Sequence, residues 1–433
     1  MKVGNRPSLR SNMLHSGIAN AIFALTQWGI VIVIGRFGTA EQMGVMVVAT
    51  ALVTPVFMFA QMAMRDGHAV DDLDEFNRVD YMALRTFSSL CAIGVVGVLL
   101  LTYLDGSSLL TKAVVASFAM VKLVGAHTNM NHGIFQREER LDYVAASTVS
   151  RGLLGFGGFA GYFWFSRSLP LSLLVEAVLW WICLRLVDKR LLSRLHAEVR
   201  LGEILAVSPS KLFQLAKWML PLGFAVMLMN GATSVPVLVL QRHVDLATVG
   251  IFGAIAYINV GLNTFSGAIG TASAARLRRL YRNGNKFDFQ RFSGRLTALS
   301  AFLGSLVWIG AYFFGDLALR LLYGTEYVRS DIFHISILAA ALRISAAPLQ
   351  FAITAGQAFW HRLLGNGITL LVAILASLCL IPSHGAIGAA WALVALSIVN
   401  LILTAVSFSS VLSGIPLQES VPEKSSLTEA VDL

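Results

Sequence analysis

The sequence predicts an all-α polytopic membrane protein with about twelve transmembrane helices in two six-helix halves. Three observations predict it. Charge is scarce: Asp, Glu, Lys and Arg make up 13% of the 433 residues, against about 25% in a soluble domain. Hydrophobic residues reach 56%, and mean hydropathy is +0.71. The apolar residues also come in successive runs of roughly 18–25, the length that crosses a hydrocarbon core of about 30 Å.

Runs this long are expected to be helices, because lipid offers no partner for backbone groups. The alternation of a membrane barrel is absent. In order, the first-half spans are read at 14–36, 42–64, 83–104, 109–133, 143–165 and 170–187. The second-half spans are read at 217–241, 248–272, 296–315, 331–354, 365–382 and 386–411. The first follows a short basic stretch and exceeds a signal-peptide core, so it reads as a retained signal anchor. Pro55, Pro221, Pro236 and Pro348 interrupt spans two, seven and ten and offer bending points. Cys91, Cys183 and Cys379 fall inside spans and read as small apolar residues. Span four holds His127 and His132, five apart and on different faces, with no acidic or thiol partner. They read as hydrogen-bonded packing residues, not metal ligands. In span five, Gly155 to Ala160 fits G-x-G-x-x-A, but no strand precedes it, so the dinucleotide reading fails. Gly157 and Gly161 there read as helix-packing positions.

The polar stretch from Asp188 to Ala216 joins the halves, and Lys189 to Leu205 reads as a basic amphipathic helix on an anionic leaflet. The expected units are residues 1–195, a linker 196–214, residues 215–412 and a polar, disordered tail 413–433. An even span number puts both termini on one side. Loops on that side carry most of the 33 Lys and Arg residues; the opposite side has only Arg36, Lys112, Arg167, Arg242, Arg320 and Arg329. Both termini are therefore expected in the cytoplasm. The net charge of +9 is mainly a topology signal. No soluble domain exists to carry a nucleic-acid footprint.

The halves echo each other. Arg36 and Gly44 match Arg242 and Gly250 at an offset of 206. Gln136 matches Gln357 at an offset of 221, and at that offset Lys122 falls on Arg343. Six intervening spans make this a parallel repeat, an arrangement that builds transporters with sites between halves.

Ionisable groups inside a membrane are costly and usually face a cavity or a partner. Lys122, Arg151 and Arg343 lie mid-span, roughly 12–17 Å from the nearer helix end at 1.5 Å per residue, too far to snorkel easily. Glu176 is the mid-span carboxylate, a charge partner or ion-coupling group. One arrangement pairs Glu176 with Arg151 and leaves the other cations on carbonyls. The other is a wet cationic cavity for an anionic substrate, where planar guanidinium donors suit phosphate. Polar stripes fit a wet interior: Asn20 and Gln27 on span one, Thr50, Thr54 and Gln61 on span two, and Asn259, Asn263 and Ser266 on span eight. Such residues also join helices. No P-loop, G-x-S-x-G or H-E-x-x-H occurs, so no enzyme, cofactor or metal is expected.

Several motifs carry a family resemblance. They are Gly35 to Gly44, Met64 to Asp71, Tyr81 to Arg85, Gln136 to Asp142, Leu322 to Tyr327 and Gly385 to Ala392. With these the chain resembles the polysaccharide repeat-unit flippases (Wzx-like) of the multidrug/oligosaccharidyl-lipid/polysaccharide exporter superfamily. The resemblance implies two lobes forming a V around a central cavity. It also implies a polyprenyl-diphosphate-linked oligosaccharide substrate, turned from the cytoplasmic to the outer leaflet of a bacterial inner membrane. Membrane lipids, a polysaccharide polymerase and export proteins are the implied partners. Two alternatives stand beside it. A multidrug or organic-cation antiporter would need intramembrane carboxylates, and the chain offers Glu176. A membrane glycosyl polymerase or ligase would need a large outer loop, and the largest, about Asp316 to Ser330, holds no domain.

Overall fold

A computed structural model describes residues 9–69, 76–356 and 359–415, with side chains except at 9–13, 69, 260, 263–272, 274–275 and 359. Asp71, Gln357 and the tail beyond 415 lie outside the described residues, as do the side chains of Asn263 and Ser266. No strand occurs among the described residues.

The first half comprises α1 (Leu9–Phe37), α2 (Ala40–Gln61), the short α3 (Met64–Ala69), α4 (Arg78–Thr102), α5 (Leu109–Arg137), α6 (Leu141–Ser166) and α7 (Leu169–Cys183). A π-turn (Leu184–Asp188), α8 (Lys189–Arg194) and α9 (Leu201–Ala206) lead to α10 (Pro209–Leu240). The rest is α11 (Leu246–Arg282), α12 (Lys286–Leu322), α13 (Ser330–Ala355) and α14 (Phe359–Ser413). Nine described helical stretches are long and apolar enough to cross a bilayer. The difference from the expected number has a physical origin. The 55-residue α14 would be about 80 Å long if straight, more than two bilayer cores. It kinks at Gly385, whose φ of 55° lies in the left-handed region that glycine tolerates. The kink separates the two spans expected at 365–382 and 386–411. Helix α6 has the length of a span, but Gly, Ser and Thr dilute its hydropathy. In α11 the apolar stretch Leu246–Asn259 runs up to residue 260, whose side chain lies outside the described residues.

Polar residues set the helix starts. Thr39 and Gln42 form a capping box on α2, Asn77 and Asp80 one on α4, and Asp245 caps α11. Lys211 near the start of α10 pairs with Asp80 at 2.7 Å. Within the first half, α1 packs on α6, α6 on α7, and α5 on α7 and α2. Within the second, α14 packs on α10 and α13, and α13 on α11 and α12. The halves meet mainly where α2 lies against α10 and α11. Exposed aromatics on α12, such as Phe302, Phe313 and Phe314, are the face a lipid solvent allows.

On the side opposite the termini, the halves are locked together. The Arg36 guanidinium donates to the carbonyls of Arg320 (3.0 Å), Leu322 (3.2 Å) and Leu321. These are last-turn carbonyls of α12, which lack helical partners and favour a cation. Trp28 Nε1 donates to Tyr323 Oη at 2.9 Å. Tyr103 Oη donates to the Leu238 carbonyl at 3.1 Å and accepts from Gln241 Nε2 at 3.0 Å. Between these bonds α2 crosses α11 at Gly44 and Gly250, the pair matched by the repeat. A Cβ on Gly44 would fall onto the Leu246 carbonyl, and one on Gly250 onto the Ala40 carbonyl. Each blocking residue stands four before the facing glycine, so the contact is reciprocal.

Two local readings are corrected. The stretch Lys189 to Leu205 is not one surface helix: it breaks into α8 and α9, with His196 between them at φ 51°. Leu191, Leu192, Ala197 and Ile204 instead join a core with Tyr81, Met130 and Phe135. Apolar residues of the segment anchor it to the bundle. In α6, a Cβ at Gly157 or Gly161 would meet nothing within 4 Å, so these glycines pack no helix. The close approaches fall at Gly152, Gly155 and Gly158, against α1 and α7. The two histidines are hydrogen-bonded as expected, His132 Nε2 to Ser147 Oγ at 2.9 Å and His127 Nδ1 to the Leu123 carbonyl at 3.0 Å.

Candidate functional site

A cavity of about 420 Å³ lies between the halves, walled by α1, α2, α5, α7, α10, α11, α13 and α14. Of the residues read as site candidates, Gln27, Lys122, Glu176, Asn259 and Arg343 line it. Lys122 on α5 and Arg343 on α13 are the pair matched by the 221-residue offset. Each enters from the helix equivalent to the other's, so the repeat presents one cation from each half. Lys122 Nζ lies 4.9 Å over the Phe118 ring. Both side chains are half-buried.

Glu176 is buried on α7, one of whose walls faces the cavity. Its Oε1 accepts from Gln27 Nε2 at 3.4 Å. Lys122 and Arg151 act on it through their charges, but no ion pair of Glu176 occurs among the described residues. The direct Glu176–Arg151 pairing is therefore not formed. Arg151 sits behind the cavity wall, buried, with its guanidinium beside the adjacent rings of Phe23 (4.6 Å) and Trp180 (4.5 Å). The cation gains from both rings. Trp180 in turn lines the cavity.

Asn20 is exposed on α1 and does not line the cavity. Asn263 lies on α11 one turn beyond Asn259, with its side chain outside the described residues. The cavity also takes polar groups that sequence reading passed over. Asn230, Thr233 and Ser234 of α10 line it, as does Tyr257 of α11. Their i, i+3, i+4 spacing on α10 was the available signal. Thr50 and Thr54 of α2 line it as well. Thr54 Oγ1 and Asn259 Oδ1 are buried with no hydrogen-bond partner among the described residues. A buried acceptor left unpaired costs about 1–3 kcal/mol, so the wall is primed for a hydroxyl-bearing ligand.

Arg85 and Asp188 are among the buried charges that lie away from the cavity. Arg85, counted with the loop cations in the sequence, is fully buried in α4, where Nη2 donates to Asn129 Oδ1 at 3.4 Å. Asp188, taken as the start of the polar linker, is buried in the π-turn and accepts from Asn131 Nδ2 at 3.3 Å.

Long helices in two halves thus surround a central polar cavity. No family profile matches the chain. A relative is the capsular polysaccharide biosynthesis protein CapF of Staphylococcus aureus, 27% identical over 381 residues, covering 88% of this chain and 94% of that protein. Among solved structures, the lipid II flippase MurJ in an inward closed conformation aligns with a TM-score of 0.73 at 11% identity, over 92% of this chain and 90% of that one. The Vibrio cholerae MATE transporter VcmN aligns with a TM-score of 0.65 at 10% identity, over 93% and 96%. The chain thus shares the polytopic helical fold of these membrane transporters. Its similarity to CapF agrees with the resemblance that its motifs carry to proteins of polysaccharide biosynthesis.

Proposed function

We propose that the protein turns a saccharide carried on a polyprenyl diphosphate from the cytoplasmic to the outer leaflet of a bacterial inner membrane. The observation that carries this reading is the convergence of Lys122 and Arg343, one from each half, on a single cavity. A mid-membrane cation costs about 2.5–3.5 kcal/mol on insertion scales. Two such cations facing one polar cavity suit a diphosphate or acidic sugars. The unpaired Thr54 and Asn259 oxygens, with Gln27, Asn230 and Tyr257, offer hydrogen bonds to sugar hydroxyls. CapF, by its name, serves capsule biosynthesis, which supports a capsule, O-antigen or exopolysaccharide substrate.

The positive-side count supports cytoplasmic termini, which makes the locked side the outer one. Residues 1–195 and 215–412 then rock as lobes about the linker 196–214, with 413–433 as a cytoplasmic tail. A polymerase and export proteins would take the saccharide onward. Arg151 acts on the site through Trp180, and Glu176 is the group placed to couple a charge. A multidrug antiporter is the weaker reading, because Glu176 is the one carboxylate lining the cavity among the described residues.

The test is to replace Lys122 or Arg343 by Ala in cells lacking the native gene. Surface polysaccharide should fall and complete lipid-linked repeat units should collect on the cytoplasmic leaflet, with protein abundance unchanged. Full export by both variants would overturn the cavity assignment. Accumulation of unpolymerised units on the outer leaflet in the deletion strain would move the protein to polymerisation.

A further inference from the structure

On the side of the termini, the first half holds a cavity of about 440 Å³, apart from the central one. It is walled by α4, α5, the π-turn, α8, α9 and the turn before α9. Two local features build it. The π-turn Leu184–Asp188 closes with the Lys189 N–H donating to the Leu184 carbonyl. Wide turns of this kind are frequent at functional sites. The turn carries Arg185 and leads at once into Lys189, and both line the cavity. The chain then reverses at His196, whose φ is 51°, and brings Glu198, Arg200 and Leu201 back over the same cavity. Arg78 holds the reversal, its Nη2 donating to the His196 carbonyl at 3.1 Å. The basic residues of this broken stretch are therefore not spread along one surface: Lys189 and Arg200 gather with Arg185.

Three cations and one carboxylate, Glu198, line this cavity, and no ion pair of these four occurs among the described residues. Arg185 lies over the Trp181 ring at 5.7 Å. Asn131, 4% exposed, gives its amide to Asp188 at 3.3 Å. Its Oδ1 stays buried with no hydrogen-bond partner among the described residues. The excess of cations calls for an anion, and planar guanidinium groups suit phosphate oxygens. The Asn131 and Glu198 oxygens accept, so they call for hydroxyl donors. The chemistry that meets both demands is a phosphate ester bearing hydroxyls. The neighbouring surface selects its kind. Leu171, Leu174, Val178 and Trp181 recur at helical spacing on α7, all exposed, and the stripe ends at Arg185. Asn131 is about 9 Å in from the Arg137 end of α5, which at 29 residues outspans the hydrocarbon core. The cavity thus sits at headgroup depth with an apolar track leading to it. A lipid uses both; a soluble phosphate ester leaves the track unused.

We propose that this cavity binds the head of an anionic phospholipid from the adjoining leaflet. Arg185, Lys189 and Arg200 hold the phosphate, and Asn131 and Glu198 accept from headgroup hydroxyls such as those of phosphatidylglycerol. The acyl chains lie along Leu174, Val178 and Trp181. The head then bridges the π-turn of the first half and the residues that begin the path to α10. That path is tied to α4 at two other points, by Arg78 to the His196 carbonyl and by Lys211 to Asp80. The lipid supplies a third tie, so its occupancy holds the connecting segment on the first half. The site stands independently of the flippase reading, and no transport assay enters its test.

The full chain is purified in detergent, and its binding of phosphatidylglycerol and phosphatidylcholine is compared by native mass spectrometry. The parent should prefer phosphatidylglycerol. Arg185→Gln combined with Arg200→Gln should weaken that binding roughly thirty-fold, from the pull of two cations on an anionic lipid. The control is Arg190→Gln combined with Arg194→Gln, two exposed cations of the same segment that do not line the cavity. It should bind as the parent does. Binding kept in the first pair, or lost equally in both, would overturn the site. Should the first pair fold poorly, a photoreactive phosphatidylglycerol is used on the unaltered protein, and its label should map to residues 181–204. Label mapping elsewhere, or displaced equally by phosphatidylcholine, would overturn the site as well. Glycerol phosphate, which has the head without the chains, separates the two sources. It should not displace the label at the lipid's own concentration. Displacement there would overturn the lipid assignment and make the cavity a site for a soluble phosphate ester.

Discussion

At the scale of single residues, position behind or on the cavity wall separates three cations that look alike in sequence. Lys122 and Arg343 face the cavity, whereas Arg151 spends its charge on Phe23 and Trp180. A guanidinium is broad enough to reach both adjacent rings, and such contacts are worth about 2 kcal/mol when desolvated. Arg151→Lys should therefore lower the melting temperature in detergent while transport per folded molecule is kept. Lost transport at unchanged melting would place Arg151 in the substrate path instead. The depth of all three cations was legible, because insertion cost makes any mid-span charge conspicuous. Their direction was not, since a lone helix does not reveal which neighbour covers each face. Asn20 shows the same limit: it shares a helix with Gln27, yet only Gln27 reaches the cavity. Tyr257 escaped notice because a single polar group in a span is too common to signal a site. Arg85 and Asp188 were misplaced because polar residues at span ends read as loop, while the helices extend past the apolar run and bury them.

At the scale of elements, the crossing of α2 and α11 holds the side opposite the termini shut. Its closeness depends on the missing side chains of Gly44 and Gly250, as each added Cβ would meet backbone, which cannot rotate away. Gly250→Ala should thus shift the population toward the outward-open state. Spin labels at Ser107 and Ser330, on turns opposite the termini in the two halves, should report longer distances than in the parent. Unchanged distances would show that the crossing does not gate. Spans were legible because about twenty apolar residues fit one bilayer crossing, and the kink at Gly385 was legible as a gap between two such runs. The break of Lys189 to Leu205 into α8 and α9 was not. Its basic residues repeat at helical spacing, but its buried leucines point into a core formed by residues far away in sequence.

At the scale of the whole molecule, orientation is the testable property. In a protein cleared of Cys91, Cys183 and Cys379, a single cysteine at Ser107 or Ser330 should react with an impermeant thiol reagent in intact cells. One at Asn285 should react only after permeabilisation. The reverse pattern would invert the molecule and turn the locked side inward. The repeat was legible in outline from a few matched residues, and the structure adds what those matches mean in space. Gly44 and Gly250 occupy equivalent places in the two halves, and they touch each other. A residue that meets its own counterpart lies on a two-fold axis, as in an isologous dimer contact. Fusion of two such units into one chain frees the copies to differ everywhere except there. Drift at one of the two glycines is checked by the other, so the axis keeps a memory of the single sequence that the arms are free to lose.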